Sequence, residues 1–175
     1  MFRVLPALFA AMLALPVAAQ ELLPRYSVMG TVTVTVDGTE HHLVIPFDTD
    51  NDSASAEENN FMGRRSVNFV AYTVGDNGKP GGPMLQLTFW VKDGAGDLLS
   101  AEFFDQGYNA PLAVESDEGA LTFSAFSITE ANEIEASFAG EFLRMENYMS
   151  DPAIAPDATP VAFNGTVVVT VPKPE

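Results

Sequence analysis

The feature that most constrains this chain is a strict alternation of β-branched residues near its start. Residues 30–36 read Gly-Thr-Val-Thr-Val-Thr-Val, which is typical of a half-buried β-strand. Asp37-Gly38 follows, and this dipeptide accepts the positive φ angles of a two-residue type I′ turn. The pattern predicts a hairpin with Thr39–Phe47 as the return strand. The predicted pairs are Val36 with Thr39, Val34 with His41, Thr33 with His42, and Val32 with Leu43.

The rest of the chain carries the same signals. Runs of alternating or β-branched residues, separated by Gly, Pro, Asn and Asp, predict further strands without any sustained helical period. These strands are predicted at 66–74, 84–92, 98–104, 112–114, 120–129, 133–145 and 161–171. About eight or nine strands with frequent turns predict an all-β fold, either an antiparallel β-sandwich or a closed β-barrel. Periodicity does not separate the two architectures.

Two strands far apart in the chain resemble each other. Residues 165–171 read Gly-Thr-Val-Val-Val-Thr-Val and nearly repeat residues 30–36. The similarity does not extend further, so shared strand composition explains it better than duplication does. Both segments are good pairing strands, and placing them side by side would cover two sheet edges and bring the ends of the fold together.

The first nineteen residues have the three parts of a secretory signal. Arg3 precedes an apolar run over 4–15, and the small residues Val17 and Ala19 occupy the positions that favour cleavage after Ala19. The run is shorter than the ~20 residues that a membrane-spanning helix needs. We therefore predict a signal peptide over 1–19, one all-β domain over 20–175, and a periplasmic or secreted location without an integral membrane segment after cleavage.

The net charge of the chain limits the classes of partner that it is expected to bind. The formal net charge is −16, and removal of Arg3 with the leader makes it −17. Such acidity disfavours nucleic acids, which proteins bind by neutralising phosphates, and leaves an unknown protein or small molecule as the partner. Cysteine is absent, which excludes thiol catalysis and thiolate metal sites.

One acidic segment is a candidate calcium site. Its five carboxylates are Asp48, Asp50, Asp52, Glu57 and Glu58, with no Lys or Arg between them. The first three have the D-x-D-x-D spacing that opens many calcium loops. The match to an EF-hand then breaks, because Ser53 replaces the turn glycine and Asn59 replaces the closing glutamate. We therefore expect a solvated, mobile loop with at most weak, millimolar calcium binding, and no other cofactor.

No residues form a recognisable catalytic set. The adjacent His41 and His42 point to opposite faces of a strand, so they cannot bind one metal ion together. There is no G-x-S-x-G nucleophile motif, and acidic pairs are too common in this chain for any one to stand out. The sequence thus favours a protein that is not an enzyme, and an unrecognised carboxylate site is a third alternative.

Trp90 is the remaining candidate contact residue. In the strand 84–92 it lies on the face opposite Leu87 and Phe89. If that face is exposed, Trp90 is a candidate contact for a partner or a sugar, and otherwise it belongs to the core. The sequence therefore predicts a non-catalytic binding or interaction module, with a small barrel that holds an apolar ligand in its interior as the alternative. The two differ in whether the inward Phe, Leu and Val side chains fill the interior or line a cavity.

Overall fold

The structure, a computed structural model, describes residues 21–61, 63–114 and 121–173. Every regular element in these residues is a β-strand, and none of them forms a helix with the length and hydropathy needed to cross a membrane. The predicted signal peptide lies outside the described residues, so its cleavage after Ala19 stays a prediction. The strands are β1 Tyr26–Val36, β2 Thr39–Asp48, β3 Ser53–Ala54, β4 Ala56–Phe61, β5 Arg64–Val74, β6 Pro80–Lys92, β7 Ala95–Phe104, β8 Leu112–Ala113, β9 Leu121–Ile128, β10 Glu133–Glu146, β11 Ala153–Ile154 and β12 Val161–Thr170.

Eight of these strands form a closed antiparallel barrel. The order around the barrel is β1, β2, β5, β6, β7, β8, β10 and β12, and β12 returns to β1. The remaining strands extend it: β3 pairs with β2, β4 with β5, and both β9 and β11 with β10. The all-β prediction is confirmed, and of its two architectures the barrel is the one observed.

The hairpin of β1 and β2 forms as the sequence predicts. Asp37 and Gly38 both have positive φ, 48° and 75°, which is the requirement of a type I′ turn. All four predicted pairs are observed: Val36 with Thr39, Val34 with His41, Thr33 with His42, and Val32 with Leu43. The register places Val32, Val34 and Val36 of β1 inside the barrel, where they are buried, and the threonines between them outside.

The two similar strands, β1 and β12, lie side by side as expected. Gly30 pairs with Val169, and Val34 pairs with Gly165, so each glycine faces a valine of the other strand. A Cβ atom on Gly165 would lie 2.5 Å from the carbonyl oxygen of Thr33, and one on Gly30 would lie 2.3 Å from that of Val168. The glycines that begin both segments are therefore required by the close approach of the two backbones.

The interior is occupied by large apolar side chains. Rings contact one another inside it, with centroid distances of 4.1 Å between Phe142 and Phe163 and 5.3 Å between Phe138 and Phe163. An eight-stranded barrel has an interior just wide enough for side chains to fill. The largest fully buried side chains are Phe69, Phe89, Phe103, Phe138, Phe142, Phe163, Leu43, Ile45, Leu85, Leu87, Ile134 and Val32.

The barrel closes through two short seams. One is the single pair Val44–Tyr72 between β2 and β5, and the other is β8, whose two residues pair with β7 on one side and β10 on the other. Beyond the second seam, Phe123 and Phe126 of β9 pack on Phe89 with centroid distances of 5.4 and 5.7 Å. Contacts between aromatic rings thus extend the barrel wall beyond the hydrogen bonds between strands at this seam.

The solvated loop predicted for the acidic segment is only partly correct. Residues 53–54 form β3, which pairs with β2, and residues 56–61 form β4, which pairs with β5. At the corner, the Ser55 amide donates to the Pro46 carbonyl, and the Val70 amide donates to the Ser55 carbonyl. The reason is that β2 and β5 diverge beyond Val44–Tyr72, so that their free edges take this segment as a partner.

Candidate functional site

The acidic turn between β2 and β3 is organised around Asp48. Its carboxylate forms an ion pair with Arg25 and accepts hydrogen bonds from the Asn51 side chain at 2.8 Å and the Asp50 amide at 3.1 Å. Desolvation raises the pKa of Asp48, but the hydrogen bonds from Asn51 and Arg25 outweigh it and hold the pKa below its usual value. Asp48 is therefore already neutralised by protein groups.

The two glutamates of the predicted calcium site lie elsewhere. Glu58 accepts hydrogen bonds from Arg65 at 2.8 Å and from the side-chain amide of Asn132 at 2.9 Å, whereas Glu57 is exposed on the other face of β4. The five carboxylates are thus divided between a turn and a strand. Within the described ranges, no group of three or more His, Asp or Glu side chains is arranged to hold a metal ion.

Asn132 joins Glu58 to the opposite side of the barrel. This residue, in the turn between β9 and β10, is almost fully buried and has φ 65°. Its side chain donates to Glu58 and to the Val171 carbonyl, and it accepts a hydrogen bond from Arg65. The network joins the β4–β5 hairpin to the β9–β10 turn. Glu58, which the sequence predicted as a candidate calcium ligand, therefore has a structural role here.

Trp90 and the histidines lie where the strand pattern puts them. Trp90 is half-buried on the outer wall, with the Arg64 guanidinium carbon 6.0 Å from its ring centroid, and its contact with a partner stays a prediction. His41 points inward, with its ring 5.2 Å from that of Phe103, and desolvation lowers its pKa despite the charge of Asp105. His42 points outward.

Glu102 is a buried carboxylate that the sequence did not single out. Glu102 on β7 is 7% exposed, and its Oε1 accepts a hydrogen bond from the Tyr148 hydroxyl at 2.8 Å. Burial raises its pKa, and the hydroxyls of Tyr148 and Ser100 offset this only in part. The contact holds the segment after β10 against the outer wall. No sequence signal distinguished Glu102 from other glutamates, because its burial depends on a loop that returns from 46 residues away.

The outer wall also carries an open groove of about 350 Å³, formed where β2, β1, β12, β10 and β9 lie next to one another. Its polar lining consists of five hydroxyls, one amide and one carboxylate. These residues are Thr33, Thr35, Ser124, Ser137, Thr166, Asn164 and Glu40. The volume is at the lower end of the range of about 300–1,000 Å³ that small-molecule sites occupy.

Strand register aligns the hydroxyls of the groove. Thr33 pairs with Thr166, and Thr166 pairs with Ser137, so that three hydroxyl residues form a row across β1, β12 and β10. Adjacent strands are about 4.8 Å apart, which sets the spacing along the row. The alternation that buries Val32, Val34 and Val36 of β1 directs Thr33 and Thr35 into this groove.

Three side chains lie close together at the rim of the groove. Glu40 and His42 share the outer face of β2, and Glu40 Oε1 lies 3.1 Å from His42 Nε2. His42 Nδ1 lies 3.4 Å from the Thr33 hydroxyl on the neighbouring strand. His42 therefore lies between Glu40 and Thr33 at the rim.

The lining chemistry limits what the groove can hold. Hydroxyls and an amide both donate and accept hydrogen bonds, so they suit ligands that are themselves rich in polar groups. Lys and Arg do not line the groove, and Glu40 contributes a negative charge, so anions are disfavoured.

Comparison with known proteins identifies no relative. The chain matches no protein-family model, and no curated protein or solved structure is significantly similar to it.

Proposed function

We propose that this protein is an exported, non-catalytic binding module whose ligand lies on the outer wall of the barrel, in the hydroxyl-lined groove. The observation that carries the proposal is the contrast between the two sides of β1. Val32, Val34 and Val36 pack in an interior that is occupied by aromatic and aliphatic side chains, whereas Thr33 and Thr35 line an open groove. The export part of the proposal rests on the predicted signal peptide.

The alternative function, an apolar ligand held inside the barrel, has less support. Such a site would need the space that Phe138, Phe142 and Phe163 occupy with rings in mutual contact. Removing one of these rings to admit a ligand would cost several kcal/mol, about 3–5 for a buried Phe reduced to Ala. The groove requires no such rearrangement.

A fragment screen observed by amide NMR tests the proposal. Polar fragments added to the purified protein should shift the amide resonances of Thr33, Thr35 and Thr166 without shifting those of interior residues such as Phe163. Substitution Thr166→Tyr should abolish these shifts by filling the groove. Thr170→Tyr is the matched control, because Thr170 lies on the same strand and is exposed but does not line the groove.

Two results would contradict the proposal. Fragment-induced shifts confined to interior residues would favour the apolar-ligand barrel. Shifts at the groove that survive Thr166→Tyr unchanged would show that the fragments bind elsewhere.

A further inference from the structure

We infer that the ligand of the groove is a neutral carbohydrate, and that the Thr33 hydroxyl at the rim contacts one of its hydroxyls. This inference rests on the proposed function and narrows it to one class of ligand. The groove offers a row of hydroxyls at Thr33, Thr166 and Ser137, with the amide of Asn164 beside it. A sugar ring presents a matching set of hydroxyls that can donate to these groups and accept from them.

Other ligand classes fit the lining less well. Phosphates and carboxylates would meet Glu40 and find no cationic side chain in the lining. An apolar ligand would desolvate hydroxyls without replacing their hydrogen bonds. A metal ion would need three or more ligands that converge, and the described residues contain no such group. A neutral polyhydroxylated molecule avoids all three costs.

His42 lies beside the Thr33 hydroxyl at the rim. Its Nδ1 is 3.4 Å from that hydroxyl, and its Nε2 is 3.1 Å from Glu40 Oε1. The Thr33 hydroxyl can donate a hydrogen bond to the ligand and accept one from it. Thr33 therefore makes the contact with the sugar, and His42 lies next to it.

The first test uses three neutral disaccharides, namely cellobiose, maltose and N,N′-diacetylchitobiose, each titrated into the purified protein and followed by amide NMR. At least one should give saturable shifts at Thr33, Thr35 and Thr166 at millimolar concentration. Thr33→Val should weaken that binding about fivefold, the weight of one ordinary hydrogen bond. Thr31→Val is the matched control, because Thr31 is also exposed on β1 but does not line the groove, and it should leave binding unchanged.

The second test asks whether the hydroxyl of Thr33, and not its methyl group, makes the contact. Thr33→Ser keeps the hydroxyl, so it should bind the same disaccharide within about twofold of the original protein, whereas Thr33→Val should not. Equal weakening in Thr33→Ser and Thr33→Val would show that the hydroxyl does not make the contact, and that result would overturn the assignment.

The outcomes separate this inference from the proposed function. If none of the three disaccharides shifts the groove amides while other polar fragments do, the carbohydrate inference is wrong and the groove remains a binding site. If the disaccharides bind equally well to Thr33→Val and Thr31→Val, the assigned contact at Thr33 is wrong. If neither fragments nor sugars shift these amides, both the inference and the proposed function are wrong.

Discussion

Two carboxylates from one acidic segment end in different surroundings. Asp48 lies in a turn and pairs with Arg25, whereas Glu58 lies on a strand and contacts Arg65 and Asn132. The two carboxylate side chains are similarly shielded, 12% exposed for Glu58 and 16% for Asp48, but Glu58 contacts Asn132, which is 3% exposed, whereas Asp48 contacts Asn51 in an exposed turn. Ten positions along the chain thus separate a pair that closes a local turn from a network that joins distant strands.

The difference shows that the burial of the surrounding groups and the reach of the network decide what a charge pair contributes. A pair at the surface is screened by water and typically contributes about 0–1 kcal/mol. Removing one member of a buried pair leaves its partner without compensation and costs more. We therefore expect the network around Asn132 to matter for stability, and the turn around Asp48 to matter little.

The largest effect is expected from Asn132→Ala. The substitution removes hydrogen bonds to Glu58, Arg65 and the Val171 carbonyl, and it places alanine at φ 65°. We expect a loss of about 3 kcal/mol in the free energy of unfolding, measured by urea denaturation. Asn132→Gly is the control, because glycine accepts this φ. It should recover about 1 kcal/mol of the loss, and equal losses in both variants would contradict the backbone contribution.

The next effect is expected from Glu58→Ala. Arg65 keeps Asn132 as a partner and is 29% exposed, so water compensates part of the lost pair. We expect a loss of about 2 kcal/mol, smaller than for a fully buried pair. Glu57→Ala, an exposed position on the same strand, should change the stability by less than about 0.5 kcal/mol. A similar loss in the two variants would show that the network of Glu58 contributes no more to stability than an exposed carboxylate on the same strand.

A smaller effect, dependent on pH, is expected at Asp48. Its pKa in the folded protein lies below the ordinary value of about 3.9 that the unfolded chain has. The stabilisation is therefore complete above that value and is lost as the pH falls from about 4 through the folded pKa. The difference in Tm between the original protein and Asp48→Asn should shrink over that interval. A difference that stays constant down to pH 2 would show that Asp48 does not act through its charge.

The smallest effect is expected from calcium. A site with a millimolar Kd adds only about 0.4 kcal/mol at one Kd of calcium, which corresponds to a Tm change of about 1 °C. We expect no larger change in a melting curve at 1–2 mM calcium, where these concentrations are on the order of that Kd. A rise of several degrees that Asp50→Asn and Asp52→Asn abolish would establish a real site and would overturn the interpretation of the turn.

The features that could be predicted from the sequence are those set by neighbouring residues. The β1–β2 register follows from the two-residue turn and the alternation around it, and all four predicted pairs are observed. The inward position of His41 and the outward position of His42 follow from the same alternation. These depend on contacts between residues that are close in the chain.

The features that could not be predicted depend on residues that are distant in the chain. Arg25 lies 23 positions before Asp48, and Asn132 lies 74 positions after Glu58, so neither was visible in the acidic segment itself. The groove requires Thr33 and Thr166 to be adjacent, which is a property of barrel closure. The similarity of the two Gly-Thr-Val segments was the one sequence signal for that adjacency.

The pairing of β1 with β12 also bears on the order in which the fold assembles. Gly30 pairs with Val169, so one edge of β1 stays unpaired until a strand 139 positions later in the chain has been synthesised. Until then the edge is an open template to which another chain can add, and contacts of such long sequence separation form slowly. A circular permutant with new termini at Asp93-Gly94, between β6 and β7, would make β12 and β1 consecutive in the chain. A faster refolding rate in that permutant would identify barrel closure as the slow step.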